Sequence, residues 1–205
     1  MTSTGDTQAA WTMSGTDTPV GIDQLSFFTA STFLDLKTLA RARGVDWRKY
    51  YDGLGQEKMA VPPLDEDTVT LAASAAHPLV QRTDKNEIGL VLFATESGVD
   101  QSKSAGLFVH GLLDLPPDCR VVELKQACYS GTAALRFACM FAAARPNKKA
   151  LVLASDIARY PLGSRGEPTQ GCGAVAMLVT ARPRILALEP GEGLHAQDVM
   201  DFWRP

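Results

Sequence analysis

Ile88-Gly89-Leu90-Val91-Leu92-Phe93-Ala94-Thr95 is an unbroken apolar run between polar flanks. Such a run needs cover on both sides, which reads as a strand buried on both faces of a sheet. The stretch ALVLAS (150–155) reads the same way. Working outward, Asp35 can cap a helix that places Leu36, Leu39, Ala40 and Arg43 on helical spacing, with Gly44 as its stop. After a loop ending in Val61-Pro62-Pro63, acidic residues open a second helix over 65–80, and Pro78 marks a boundary or kink in it. Residues 104–113 read as a short helix and 132–144 as a longer one. Further strands fall at 20–28, 120–124, 174–180 and 185–188, the last two as a hairpin across Ala181-Arg182-Pro183. Strands alternating with helices predict a layered α/β fold with a mostly parallel sheet.

The composition bounds what such a fold can be. A chain of 205 residues holds one ordinary domain, or half of a larger two-lobed enzyme. Hydrophobic residues at 45% and charged residues at 21% exclude a wholly disordered chain, a coiled coil and a collagen-like fibre. Lys and Arg number 20 against 23 Asp and Glu, a net charge of -3. That balance argues against sequence-independent nucleic-acid binding, which needs a basic face, but leaves room for a small basic pocket. Cys119, Cys128, Cys139 and Cys172 form no CxxC pair, and His77, His110 and His195 do not cluster with them, so no metal site is expected. No signal peptide opens the chain and no apolar run spans a bilayer. A cytoplasmic location with reduced thiols is the default, which keeps a nucleophilic cysteine in play. Residues 1–19 read as a mobile polar tail carrying Trp11, and 20–205 as the folded part.

One helix breaks the usual one-faced pattern. In TAALRFACMFAAA (132–144), eleven of thirteen residues are apolar and Arg136 carries the only charge. A helix apolar all round needs cover on every side. One sheet covers one face; the other implies a partner surface that this chain does not build.

The chemistry centres on Lys125-Gln126-Ala127-Cys128-Tyr129-Ser130-Gly131-Thr132. A cysteine between a short strand and an apolar helix lies near unpaired N–H groups and the positive dipole end, which favour a thiolate. Small residues at 130–132 leave space for a substrate carbonyl, and the backbone N–H at the turn is available to an oxyanion. On the residues alone, Cys128 stands open between a nucleophile and an inert buried thiol, whereas Cys139 reads as inert. Glu96, in Ala94-Thr95-Glu96-Ser97-Gly98, ends a buried strand, where ligand sites of parallel sheets gather. Apolar walls would suit it to proton transfer. A solvated loop glutamate is the other reading. Gly171-Cys172-Gly173-Ala174-Val175-Ala176 imitates a dinucleotide fingerprint but opens a β-branched run instead of a helix, so its glycines are read as permitting close strand approach. None of the histidines has a spacing that makes it the partner of Cys128.

Taken together, these residues resemble the 3-hydroxy-3-methylglutaryl-CoA synthase family of the thiolase superfamily. The matching stretches are VGID (20–23), GLGQEKMAV (53–61), ATESGVD (94–100), KQACYSGTAAL (125–135), SDIARY (155–160), GEPTQGCGAVAM (166–177) and DFWRP (201–205). The resemblance implies the N-terminal half of a thiolase-like fold over 20–205, completed by a second half from another chain. It implies an acyltransferase in which Cys128 takes an acetyl group from acetyl-CoA and Glu96 removes a proton from the acetyl methyl. The resulting carbon attacks acetoacetyl-CoA, with no cofactor. Tyr129, Thr132, Asp156, Thr169 and Asp201 fall at family positions that line or support the acyl site. The family's chain runs about twice as far, and the part beyond Pro205 supplies the catalytic histidine and part of the oxyanion hole. The expectation is therefore one subunit of a split mevalonate-pathway synthase, inactive alone and assembling as a dimer of such pairs. Two alternatives accompany it: a β-branching half acting on intermediates bound to acyl carrier protein, and a regulatory paralogue that binds acyl-CoA without turnover.

Overall fold

The computed structural model describes residues 18–189 and 191–200. The expected tail, apart from Thr18 and Pro19, and Asp201 with its motif lie outside the described residues. In chain order the strands and α-helices are β1 (Val20–Thr29), β2 (Thr32–Asp35), α1 (Leu36–Arg43), α2 (Arg48–Tyr51), β3 (Lys58–Val61) and α3 (Thr68–Val80). There follow β4 (Ile88–Ala94), α4 (Ala105–Leu112), β5 (Arg120–Leu124), α5 (Tyr129–Ala144), β6 (Lys149–Ala158), β7 (Gly171–Ala181) and β8 (Leu186–Ala187).

The helix ends follow local chemistry. Asp35 accepts the Lys37 N–H at 2.8 Å, and Gly44 closes α1 in the left-handed region at φ 64°. Asp67 and Thr70 form a reciprocal capping box at the start of α3, each bond 2.7 Å. Pro78 lies inside the last turn of α3, where it cannot donate to the Ser74 carbonyl, and the helix ends two residues later at Val80.

Six strands form one sheet in the order β5-β4-β6-β7-β1-β8. β4 pairs parallel with β5 and β6. The pairs β6–β7, β7–β1 and β1–β8 are antiparallel, so the sheet is mixed and the expectation of a mostly parallel one is corrected. The reason lies in the connections. A parallel return needs a crossover helix, and the segment between β6 and β7 holds only a 3₁₀ turn at Glu167–Thr169. The expected 174–188 hairpin is corrected too. Both edges of β7 are occupied, by β6 and β1, so the chain passes around Pro19 and lays β8 on the free edge of β1. Arg182 N–H reaches Pro19 O at 2.7 Å, and Arg184 grips Asp23 through Nε and Nη2 at 2.7 and 2.8 Å. A Cβ at Gly21 would run into the Leu186 carbonyl, so only glycine admits β8 there.

Helices cover both faces. On one, α3 and α4 bury Leu71, Ala75, Ala76 and Val109 against Val91, Phe93, Leu151 and Leu178. On the other, α5 buries Ala134, Ala138 and Ala142 against Leu92, Val152 and Val179. β4 thus has apolar cover on both sides, as its run of residues demands. α2, β2 and β3 were not read from the sequence. β2 and β3 pair antiparallel, and Leu36, Leu39 and Met59 make a small separate core there.

α5 starts at Tyr129, three residues before the expected helix. Its sheet-facing side is closed, and Arg136 is tied to Glu192 at 2.9 Å and to the Glu189 carbonyl at 3.2 Å. Tyr129, Phe137 and Met140 remain about half exposed along the outer side (52%, 49% and 47%). Leu25 and Phe27 are also exposed. Phe28 packs into the α3 core, so by strand alternation Phe27 and Leu25 point to the α5 side. A cavity of about 270 Å³ opens beside them, lined by Phe27, Ala154, Gly173 and Val175 among others.

Candidate active site

β4, β5 and β6 run parallel, so their carboxyl ends meet at one end of the sheet. Glu96 follows β4, Cys128 follows β5, and Asp156 lies near the end of β6. This topology gathers three of the residues singled out in the sequence without further help.

Cys128 occupies the N-cap position of α5 and is exposed. The preceding Ala127 has φ 43°, a left-handed backbone that a residue with a Cβ adopts at a cost. The turn is pinned by bonds from Tyr129 N to Gln126 O (3.1 Å), Ser130 N to Ala127 O (3.3 Å) and Ser130 Oγ to Ala127 O (2.9 Å). A Cβ on Gly131 would already touch Ala154 at 3.9 Å, so the first turn of α5 lies close to β6. The backbone N–H groups of Tyr129 and Ser130, at the turn expected to serve an oxyanion, are engaged within the turn itself.

The Cys128 sulfur stands 3.7 Å from Glu96 Oε1. Glu96 is half-buried and its backbone is held firmly. Asp156 Oδ1 accepts from Glu96 N (2.7 Å), Ser97 N (3.0 Å), Ser97 Oγ (2.6 Å) and Thr95 Oγ1 (3.0 Å). Ser97 Oγ in turn accepts the Ile157 N–H at 3.0 Å. Asp156 thus holds the loop bearing Glu96. Thr95 and Ser97 are the partners that sequence reading missed. The signal was present, since two hydroxyl residues flank the glutamate in a strand-end turn.

The other nominated residues are more dispersed. Tyr129 and Thr132 are exposed in the first turn of α5. Thr169 is exposed at the end of the β6–β7 connection, its hydroxyl bonded to Gly166 O at 2.8 Å. Burial pushes the Cys139 thiol up to about 11, which fits its reading as inert, and does the same to Cys119. Burial also raises Cys172. His110 bonds the Pro116 carbonyl at 3.0 Å, and His195 lies 3.4 Å from Gln197. Gly173 bears out close strand approach, since a Cβ there would sit 3.2 Å from Phe28 O; Gly171 has open space. Among the described residues no group of three or more His, Cys, Asp or Glu is placed to hold a metal, and no helix is long and apolar enough to cross a membrane. The site places an exposed thiol and a half-buried carboxylate in contact at one end of the sheet.

The family model described as hydroxymethylglutaryl-coenzyme A synthase N terminal matches residues 16–183. A hydroxymethylglutaryl-CoA synthase from Enterococcus faecalis is 49% identical over 186 residues, 91% of this chain and 49% of that protein. A polyketide biosynthesis 3-hydroxy-3-methylglutaryl-ACP synthase from Bacillus subtilis is 37% identical, covering 90% of this chain and 48% of that one. The solved structure of MvaS in complex with 3-hydroxy-3-methylglutaryl coenzyme A superposes with a TM-score of 0.88 at 47% identity, over 93% of this chain and 47% of that chain. The chain spans about half the length of the curated relatives it matches.

Proposed function

The chain belongs to the hydroxymethylglutaryl-CoA synthase family, and from that premise we propose that it is the cysteine-bearing N-terminal half of such a synthase. Its working form joins it to the C-terminal half of the synthase fold, two such units forming a dimer. The Cys128 sulfur attacks the carbonyl of acetyl-CoA and expels the CoA thiol. Glu96 takes a proton from the methyl of the acetyl thioester, and the carbon so generated attacks the ketone of acetoacetyl-CoA. Water then cleaves the thioester, returning Cys128 to the thiol. A histidine on the second half polarises the ketone.

The observation that carries this reading is the 3.7 Å contact between Cys128 Sγ and Glu96 Oε1 at the carboxyl ends of two adjacent parallel strands. A thiol for acyl capture and a carboxylate for C–H abstraction are what the two steps require. The need for a second half is supported by the outer stripe of α5, where Tyr129, Phe137 and Met140 lie half exposed.

Mixing the chain with the C-terminal half of the Enterococcus faecalis relative tests it. Expected are an acetyl adduct on Cys128 by peptide mass and release of hydroxymethylglutaryl-CoA, both lost in Cys128→Ser. Glu96→Gln is expected to keep the adduct and lose condensation. A parent chain that is never acylated at Cys128, alone or paired, refutes the reading and favours a regulatory role. The carrier-protein alternative is supported by the Bacillus subtilis relative. It predicts faster acylation from acetyl-carrier protein than from acetyl-CoA; the higher identity of the CoA-named relative favours CoA.

A further inference from the structure

Glu167 is 3% exposed and takes no part in the steps above. Its carboxylate accepts Arg43 Nε at 2.8 Å, Arg43 Nη2 at 2.5 Å and Gly163 N at 2.8 Å. Arg43 ends α1, 124 residues away in the chain. Arg43 keeps about a third of its side chain exposed against 4% for Glu167, and an ion pair open to water on one side contributes little to stability. Retaining one here calls for another reason.

The place of the pair supplies it. Glu167 lies in the connection that leaves β6 just after Asp156 and Ile157, both hydrogen-bonded to the loop of Glu96. The connection returns to β7 where Gly171 pairs with Ala158, so it is fixed at both ends to the end of the sheet holding Cys128. Between those ends it is largely exposed, and Glu167 and Pro168 are its buried anchor. Thr169 follows at once. Arg43 projects from a helix that is itself secured, since Asp35 caps α1 and accepts the Tyr51 hydroxyl at 2.9 Å. The planar guanidinium fork suits a two-point grip that a lysine cannot reproduce.

We propose that Arg43 and Glu167 are positioning residues for acyl transfer: they fix the 163–170 segment, with Thr169, against the end of the sheet that carries Cys128 and Glu96. This rests on the reading of Cys128 as the acyl acceptor. In the transfer the Cys128 S–H is replaced by an S–acetyl bond, the thioester C–S bond breaks, and the proton leaves with CoA as its thiol.

The test uses the chain paired with the C-terminal half of the Enterococcus faecalis relative, comparing parent, Arg43→Lys and the apolar double variant Arg43→Met/Glu167→Leu. Read out are the acetylation rate of Cys128 against acetyl-CoA concentration, iodoacetamide reaction at Cys128, the thermal midpoint, and amide hydrogen exchange over 163–170. The double variant is expected to keep its midpoint and its iodoacetamide rate. Its saturated acetylation rate should fall about tenfold or more, with Arg43→Lys in between, and the half-saturating concentration should move less. Amide exchange over 163–170 should rise about tenfold in the double variant. Acetylation at the parental rate in the double variant overturns the proposal, as does a fall in acetylation without faster exchange in the segment. If the double variant does not fold, Arg43→Lys decides on the same two readouts. A parent that is not acetylated overturns instead the reading of Cys128, and this proposal with it.

Discussion

Replacing Asp156 by alanine removes one acceptor atom on which four donors converge, at 2.6 to 3.0 Å. A hydrogen bond to a charged group contributes about 1.5–3 kcal/mol. The four do not add, because they share one atom and because Glu96 and Ser97 are partly open to water that can replace the carboxylate. Thr95 is 1% exposed and has no such rescue. Counting Thr95 in full and the rest in part gives an expected loss of about 3 kcal/mol for Asp156→Ala. Asparagine keeps an acceptor oxygen in place and forfeits only the charge assistance, so Asp156→Asn should lose about 1 kcal/mol. Urea unfolding of the two variants measures both values. The functional consequence should be selective. Freed from Asp156, the backbone at Glu96 shifts, and a displacement of about 1 Å at a reacting group costs about 100-fold. Deuterium uptake into the acetyl methyl of the Cys128 thioester, read by mass in D₂O with the paired protein, reports proton abstraction alone. It should fall about 100-fold in Asp156→Ala, while iodoacetamide reaction at Cys128 stays within about twofold. A loss of stability under about 0.5 kcal/mol, or methyl exchange at the parental rate, refutes the assignment of Asp156 to holding Glu96.

Thiol labelling follows from burial. At pH 8, iodoacetamide should modify the exposed Cys128 in a fast phase that Cys128→Ser abolishes. Cys119 and Cys139, pushed up to about 11, present only about one thiolate in a thousand there and should lag far behind. Acid behaviour follows from Glu167, which its hydrogen bonds with Arg43 hold at about 2, well below its ordinary 4.5. The stability it contributes is complete above about 4.5 and is lost as pH falls through about 2, so Glu167→Gln should flatten that part of the acid-unfolding curve followed by circular dichroism.

How far the fold could be read depended on whether a residue's partner was local. Asp35 and Gly44 act on their own helix, and both ends of α1 fell where the sequence put them. The apolar run at β4 likewise declares its own burial, whichever neighbours provide it. Strand direction is different. Whether β7 runs with or against β6 depends on how the twelve residues between them turn back, and nothing in the β-branched run itself encodes it. The same holds for β8, whose partner was settled by which edges were already taken. β2 and β3 are four residues each, too short for period-two alternation to stand out from a loop.

The site divides along the same line. Glu96 sits where the buried strand β4 gives way to a turn and Cys128 where the short edge strand β5 gives way to an apolar helix, positions that sequence pattern marks directly. Their supports, Thr95 and Ser97 on Asp156 and Arg43 on Glu167, bridge 59 to 124 residues, and no local period could join them. The outer stripe of α5 is the case in which pattern and structure bear on one question. Phe137 and Met140 are about half exposed, so polar residues there would leave the sheet-facing side of the helix intact. The same applies to Phe27, 71% exposed on the neighbouring strand. A buried side chain of this size is worth about 1.5–3 kcal/mol, and in the chain alone much of that is not realised. Apolar residues at such positions on adjoining elements, next to the turn that bears Cys128, favour a further packed surface, such as the second half of the synthase fold, over packing within these residues as the reason for them.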